Sequence, residues 1–278
     1  MAVTIKTPEE IELMREAGRI LAAVHSELGK AIKPGMSTLD VDRLGEEMIR
    51  SYGCEPSFLN YNGYPASICV SVNEEVVHGI PHPEHIILDG DIVSLDAGVI
   101  YKGYHSDAAR TVPVGDVSQD ALDLIERTKQ SFFKGICVAR PGVRLYEISS
   151  AIGEYARGFG YGVVEELCGH GIGTHLHEDP DIPNFAQPWY RPGIKLKAGM
   201  TLAIEPMINM GGKEIVFIDD DWTVETEDLS LSAHYENTIL ITEKDGPEIL
   251  TLTEEEKKQG LDKIENWLKI TGCDKGLS

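Results

Sequence analysis

Two aspartates, Asp96 and Asp107, stand on neighbouring segments with the residue pattern of β-strands. A short turn at Tyr101, Lys102 and Gly103 joins these segments into a predicted hairpin. A turn centred between Tyr101 and Lys102 would place the aspartates directly opposite each other, whereas a turn at Lys102 and Gly103 would place them diagonally on one face. Two carboxylates this close repel unless a cation or a proton lies between them. A solvated pair near the hairpin tip is the alternative, but the apolar residues around both aspartates favour a metal site.

His170 lies in the glycine-rich segment 168–173, and His175 and His177 follow it closely. The glycines would let the backbone bend tightly around an uncrowded imidazole, which predicts a loop. The spacing of these glycines differs from that of a dinucleotide-binding fingerprint. A lone histidine in a loop is more often a bystander than a ligand, so this segment alone decides nothing.

Two glutamates stand on apolar strand-like segments. Glu205 ends one such segment directly before Pro206, and Glu236 leads into a second. Burying an unpaired carboxylate costs several kcal/mol or raises its pKa. Each glutamate taken singly is more often a charge on an edge strand than a ligand.

Four carboxylates and one imidazole together suit a pair of divalent cations. Two-metal sites hold their ions about 3.5–4 Å apart and share carboxylates between them. Oxygen-rich donor sets favour manganese, iron or cobalt, zinc is also compatible, and no thiolate here selects zinc. The candidate metal ligands are Asp96, Asp107, His170, Glu205 and Glu236.

Composition bounds the class of protein. The chain has 278 residues, a formal net charge of −21 and a pI near 4.7, which argues against nucleic acid as a main ligand. No apolar run reaches the ~20 residues of a membrane span, and the first ten residues predict no signal peptide. An odd number of cysteines without a C-x-x-C pair predicts free thiols in a reducing compartment, so a cytoplasmic protein is expected. The five are Cys54, Cys69, Cys137, Cys168 and Cys273.

Helices and strands that could position these residues occur twice in the same order. A capping box at Thr7 begins a first helix that ends at Pro34 and Gly35, and a second helix runs from Ser37 to before Gly53. Strand-like runs then extend over about 66–114.

After a junction near residue 115, two more helices and further strands follow. A duplicated α+β unit around one curved sheet accounts for this order, with two small domains or coincidence as alternatives. A second capping box, from Thr253 to Glu256, predicts a terminal helix.

The five candidate ligands and the residues around them resemble the methionine aminopeptidases. The motifs are SLDAG, HSDAART, GHGIG, IEPM and YENT, and the resemblance covers about residues 5–250. It implies an α+β pita-bread fold, with two pseudo-twofold halves whose curved antiparallel sheet is covered by helices. Residues 1–252 would form one catalytic domain with halves of about 1–115 and 116–252, and residues 253–278 would form a helical tail.

Spacing and length indicate the subtype within this family. Type II enzymes carry a helical insertion between the two glutamates, and the 31 residues from Glu205 to Glu236 (236 − 205) leave no room for one. The short bacterial type I form is therefore implied. The proline-specific relatives usually carry a large extra N-terminal domain, which this sequence lacks.

The resemblance also assigns roles. It implies removal of the initiator methionine from nascent proteins when the second residue is small, with Glu205 as general base. His78 would contact the scissile amide, and His177 would polarise the scissile carbonyl. Two divalent ions (cobalt, manganese, iron or zinc) and a monomer are expected, with contact to the ribosome. The rivals are a proline-specific peptidase of the same fold and a non-catalytic peptide-binding relative.

Side chains around the reacting bond are implied in the same way. The methionine pocket would be lined by Phe58, Tyr61, Tyr64, Cys69, Leu176 and Trp222, together with His78 and His177. Phe58 and Leu176 depart from the cysteine and phenylalanine expected at those positions. His234 and Asn237 stand where the family usually has glutamine and histidine. Relatives also bind a monovalent cation, here near Asn73, Glu75 and Ser232.

Overall fold

The computed structural model describes residues 3–186, 193–244 and 246–272. Within these ranges every paired strand runs antiparallel to its neighbour. The helices are α1 (Pro8–Ala31), α2 (Thr38–Ser51), α3 (Gln119–Ile136), α4 (Leu145–Arg157), α5 (Glu254–Lys258) and α6 (Ile264–Thr271). The strands are β1 (Glu55–Pro56), β2 (Ile68–Val72), β3 (Glu75–Val77), β4 (Ile92–Tyr101), β5 (Tyr104–Pro113), β6 (Gly162–Val163), β7 (Cys168–Gly171), β8 (Glu178–Pro183), β9 (Thr201–Ile204), β10 (Met207–Asn209), β11 (Ile215–Phe217), β12 (Val224–Thr226), β13 (Ser232–His234), β14 (Asn237–Ile241) and β15 (Pro247–Ile249).

The first two helices begin where the sequence predicts. Thr7 accepts a hydrogen bond from the Glu10 backbone while the Glu10 carboxylate accepts one from the Thr7 backbone, which completes the capping box of α1. Ser37 and Asp40 do the same for α2. Both helices bury their apolar faces against the sheet of β1, β2, β4 and β5. The shared core includes Leu21, Leu28, Val41, Ile49, Val70, Leu95 and Val99.

The β4–β5 hairpin adopts the second of the two predicted registers. Tyr101 pairs with Tyr104, so the turn consists of Lys102 and Gly103. Both turn residues have positive φ, 48° and 85°, as a two-residue type I′ turn requires. Asp107 consequently pairs with Gly98 rather than with Asp96.

The second half repeats the order of two helices followed by strands. α3 and α4 pack on the five-stranded sheet β15-β14-β9-β7-β8. The strand-like segments around the two glutamates are interrupted in the structure, at Glu205–Pro206 between β9 and β10 and at Tyr235–Glu236 between β13 and β14. Pro206 has no N–H for the ladder, which explains the first break.

Backbone contacts join the two halves at β5. Ala109 N donates to Glu236 O at 3.3 Å, and Glu236 N donates to Ala109 O at 3.0 Å. Nearby, the Thr238 hydroxyl bonds both the N–H and the carbonyl of Asp107, each at 2.9 Å. These contacts bring the interruption of the second-half strand against the first-half hairpin.

The C-terminal segment forms two short helices where the sequence predicted one. The capping box at Thr253 is present, but the chain turns at Gly260, whose φ is 76°. In α6, Trp267 is buried in the core of the second half and packs on Phe133 with ring centroids 5.8 Å apart. The tail therefore contributes to the same core as α3.

Within the described ranges, no helix is long and apolar enough to cross a membrane. Cys54 and Cys69 are buried free thiols, and Cys168 is a half-buried one. Cys273 lies outside the described residues.

Candidate metal centre and active-site pocket

The β4–β5 hairpin presents Asp96 and Asp107 diagonally on one face, because Asp96 pairs with Ala109. Both side chains are buried. On the other side of β4, Asp96 pairs with Cys69 of β2. The hairpin therefore carries two carboxylates beside one of the predicted pocket residues.

His170 lies on strand β7, in the middle of a sheet, and the prediction of a loop is wrong. Its flanking glycines allow close approach of neighbouring strands rather than a bend. A Cβ on Gly169 would stand 2.4 Å from the Ala203 carbonyl oxygen, and one on Gly171 would stand 2.2 Å from that of Asp179. No larger residue fits there without moving backbone.

The backbone also fixes the orientation of the imidazole. His170 Nδ1 donates to the Gly171 carbonyl at 2.9 Å, which leaves the lone pair of Nε2 free. That nitrogen lies 3.7 Å from Asp107 Oδ2 and 3.6 Å from Glu205 Oε1. His170 thus faces one carboxylate from each half of the molecule.

Glu205 and Glu236 occupy the two strand interruptions, where a side chain can turn out of the sheet. The Asn184 amide donates to the Glu205 carbonyl at 2.9 Å, and Tyr235 N donates to Pro206 O at 3.3 Å. The second of these bonds holds the two interruptions side by side.

The cluster has the chemistry of a cation site. Ligand atoms of Asp107, His170 and Glu236 lie within 4.8 Å of one another. Three buried carboxylate oxygens, from Asp96, Asp107 and Glu236, have no hydrogen-bond partner in the described structure. Buried oxygens without partners are costly, and divalent cations are the groups that such oxygens bind. The residues present therefore fit a metal centre.

Burial raises the pKa of every carboxylate of this cluster, and repulsion adds to it for three of them. Burial raises the pKa of Asp107 to about 8, and burial followed by the charge of Asp107 raises the pKa of Asp96 and Glu205 well above their ordinary values. The pKa of Glu236 is raised for the same two reasons. Burial lowers the pKa of His170 to about 3, so its imidazole is neutral and able to bind a metal.

Two further histidines approach the cluster. The Tyr61 hydroxyl and His177 Nδ1 are 2.7 Å apart, and the His177 ring packs edge-on against His170 with centroids 4.2 Å apart. His78 follows β3 with a φ of 61°, a left-handed conformation that is uncommon outside glycine. Its ring faces Trp222, with centroids 6.2 Å apart.

A cavity of about 290 Å³ opens above the carboxylates. The predicted metal ligands, histidines and pocket residues all line it: Asp96, Asp107, His170, Glu205, Glu236, His78, His177, Phe58, Tyr61, Tyr64, Cys69, Leu176 and Trp222. Gly98 makes room for one wall, because a Cβ there would stand 3.0 Å from the ring of Phe58.

Sequence reasoning missed several lining residues: Asn62, Val77, Glu166, Leu167, Cys168 and Met207. Each lies within four residues of a predicted site residue in the sequence, which was the available signal. It also missed Arg110, whose guanidinium donates to the Glu236 carbonyl and to Asn237 Oδ1. This arginine belongs to the motif HSDAART, but no neighbouring residue in the sequence indicated which groups it bonds.

The three residues expected near a monovalent cation lie around the end of β2. Ser232 N donates to the Asn73 carbonyl at 2.8 Å, and Val72 N donates to Glu75 Oε2 at 2.7 Å.

The family model for metallopeptidase family M24 matches residues 12–243. The chain belongs to metallopeptidase family M24. A methionine aminopeptidase of Clostridium acetobutylicum is 52% identical to this M24 metallopeptidase over 252 residues, which are 91% of this chain and 100% of that protein. The crystal structure of a methionine aminopeptidase from Thermotoga maritima matches it with a TM-score of 0.87 and 45% identity, covering 90% of this chain and 100% of that one. The sequence motifs placed this M24 metallopeptidase among the bacterial type I methionine aminopeptidases, and these relatives confirm that prediction.

A prolidase from Pyrococcus furiosus shares the fold at a greater distance. It matches this M24 metallopeptidase with a TM-score of 0.72 and 28% identity, covering 90% of this chain and 66% of that one. The structures of the Thermotoga methionine aminopeptidase and the Pyrococcus prolidase therefore confirm the α+β pita-bread fold implied by the resemblance.

Proposed function

We propose that this M24 metallopeptidase removes the N-terminal methionine from newly made proteins whose second residue is small. One observation carries the proposal: four carboxylates and a neutral imidazole meet at the floor of a mostly apolar cavity. The names of relatives at 42–52% identity support the same activity.

Five side chains would hold two divalent ions. In this proposal the residues that would hold the ions are Asp96, Asp107, His170, Glu205 and Glu236. When bound, such ions lower the pKa of a water to near neutrality and stabilise negative charge on the substrate carbonyl oxygen. The donor set suits manganese, iron, cobalt or zinc.

Glu205 would move the protons. As general base it takes one from the attacking water and passes one to the leaving amine, which restores its starting state. Burial and the neighbouring carboxylates raise its pKa, which makes it a stronger base toward the proton of the water.

Tyr61 and His177 would act together on the carbonyl. If the tyrosine hydroxyl donates to Nδ1, then Nε2 carries the imidazole proton and donates to the carbonyl oxygen as charge develops there. His78, which also lines the cavity, would align the scissile amide.

The apolar wall of the cavity would select methionine. A flexible thioether fits among aromatic rings and beside the sulfur of Cys69. Tyr64 and Trp222 meet edge to face with centroids 5.1 Å apart, which gives this wall a rigid shape. Phe58 and Leu176 set its size in place of the cysteine and phenylalanine of the common family pattern.

Assaying Met-Ala-Ser against Xaa-Pro substrates with added manganese or cobalt tests the proposal. We expect Met-Ala-Ser to be cut and Xaa-Pro peptides to be left intact. The Glu205→Gln variant tests the general base in the same assay, and its turnover of Met-Ala-Ser should be lower by at least about 100-fold. Cleavage of Xaa-Pro without cleavage of Met-Ala-Ser would favour the proline-specific rival, and turnover of neither would favour a binding protein.

Further properties belong to the same proposal: a cytoplasmic monomer, contact with the ribosome, and a monovalent cation near Asn73, Glu75 and Ser232. We also propose that residues 1–252 are the catalytic domain and that residues 253–278 are a tail. Metal analysis of anaerobically purified protein, paired with activity, would identify the ions.

A further inference from the structure

His234 is a buried histidine next to the metal centre whose two ring nitrogens have no hydrogen-bond partner in the described structure. Buried polar atoms are nearly always paired, so an imidazole with neither nitrogen satisfied points to a hydrogen bond that forms only after a neighbouring group shifts. The five proposed ligands and the two pocket histidines do not include it.

The backbone of His234 is held firmly in place. Thr111 on β5 accepts a hydrogen bond from His234 N at 2.8 Å and donates one to His234 O at 3.0 Å. Across the sheet, His234 pairs with Met207 of β10. The strand that carries Asp107 therefore also fixes this histidine.

The side chain reaches toward two of the proposed ligands. His234 Nε2 lies 4.0 Å from Glu205 Oε2 and 3.9 Å from Glu236 Oε2. The other oxygen of Glu205, Oε1, faces His170 instead. Each glutamate thus has one oxygen directed at His234, and Glu205 stands between two imidazoles.

These separations exceed an N–H···O hydrogen bond of about 2.7–3.2 Å by roughly 1 Å. The last torsion of a glutamate side chain is broad, so a small rotation brings an oxygen that much closer. Direct metal ligation by His234 is the alternative, and the substitutions described below distinguish it from a hydrogen bond to the glutamates.

We propose that His234 is a positioning residue, whose Nε2–H donates a hydrogen bond to the facing oxygens of Glu205 and Glu236 in the metal-loaded protein. This bond fixes which oxygen of each glutamate is left for the ions, as outer-sphere partners do at other metal sites. The inference rests on the proposed metal centre but not on methionine as the substrate.

His25 provides a matched control. It is buried and lines the same second cavity as His234, a space of about 430 Å³ behind the metal centre. Its Nε2 is already bonded to the Ala108 carbonyl at 2.8 Å, and it makes no close contact with a carboxylate in the described residues.

The test is Co²⁺ binding by calorimetry, with the visible d–d spectrum of the Co²⁺ protein as a second readout. We expect His234→Leu to weaken Co²⁺ affinity by about 10–100-fold and to change the spectrum. His25→Leu should leave both unchanged. His234→Gln should keep most of the affinity, because its amide can donate the same hydrogen bond.

Unchanged affinity and spectrum in His234→Leu would overturn the proposal. A His234→Gln variant that binds Co²⁺ as weakly as His234→Leu would also overturn it, since that result would make the imidazole itself a metal ligand. If the leucine variant does not fold, His234→Gln and His234→Asn provide the test. Both carry an amide, but only the longer glutamine side chain reaches the two glutamates. Equal Co²⁺ affinities of these two variants would contradict the proposal. A wild-type protein that binds no Co²⁺ would overturn the metal centre itself, which separates the two failures.

Discussion

At the scale of single residues, the Tyr61–His177 hydrogen bond links the pocket wall to the proposed chemistry. A hydroxyl 2.7 Å from Nδ1 selects the imidazole tautomer and holds the ring. The tyrosine would therefore have two functions, as an apolar wall for methionine and as the partner that orients His177.

Tyr61→Phe keeps the ring and removes only the hydroxyl. We expect kcat on Met-Ala-Ser to fall about two- to tenfold, the value of one ordinary hydrogen bond, with little change in KM or metal content. Tyr104→Phe is the control, because its hydroxyl bonds Glu10 outside the pocket. Equal effects of the two variants would show that the hydroxyl of Tyr61 has no special role.

At the scale of elements, a buried ion pair connects helix α5, the first helix of the C-terminal segment, to the metal centre. Both oxygens of Glu256 accept from the guanidinium of Arg110 at 2.9 Å, and the Tyr235 hydroxyl donates to the same carboxylate at 2.7 Å. Arg110 in turn donates to the carbonyl of Glu236. The tail is thereby linked, through one arginine, to the backbone of a proposed ligand.

The charge on Glu256 should stabilise the fold in a pH-dependent way. Burial alone would raise its pKa, but Arg110 and the hydrogen bonds outweigh burial and lower the pKa from 4.5 to about 2. A lowered pKa stabilises the folded state fully above about pH 4.5, and that contribution is lost as the pH falls toward 2.

Urea unfolding of the wild type and Glu256→Gln tests this expectation. At pH 7 the variant should be less stable by about 3 kcal/mol, since one partner of a buried pair is lost, and the difference should shrink below pH 4.5. Glu254→Gln, on the exposed face of the same helix, should unfold like the wild type. A difference that stays constant from pH 7 to pH 2 would contradict the ion-pair account.

At the scale of the whole molecule, the metal centre lies where the two halves meet. β5 of the first half pairs with the strand interruption that holds Glu236, and repulsion among four buried carboxylates acts across that junction. Ions bound there should stabilise the whole fold by binding the folded state alone.

Chelation should therefore lower the Tm, and added Mn²⁺ should restore it. In the apoprotein the pKa of Asp107 is raised to about 8, so its stabilising protonated form is lost as the pH rises from about 4 through 8. The Tm of the apoprotein should consequently fall between pH 6 and pH 8 more steeply than that of the Mn²⁺ protein. Calorimetric scans at pH 6 and pH 8, with and without Mn²⁺, measure these Tm values. An apoprotein with the same Tm at both pH values would refute the expectation.

Local patterns in the sequence determined much of this protein. Capping boxes at Thr7 and Thr253 marked helix starts because the side chain and the backbone amide that it bonds lie only three residues apart. Two strand-like runs joined by a short turn with a glycine marked the β4–β5 hairpin. The order and flanking residues of five candidate ligands were enough to identify the family.

Tertiary structure decided what depends on distant contacts. The positive φ angles of Lys102 and Gly103 place the turn at these two residues and so determine the diagonal register of the two aspartates. The residue types alone left this register open. The placement of His170 within a sheet, the pairing of Glu236 with β5 and the position of His234 between two glutamates join segments far apart in the chain. No short-range pattern encodes such contacts, because they follow from how the two halves pack on each other.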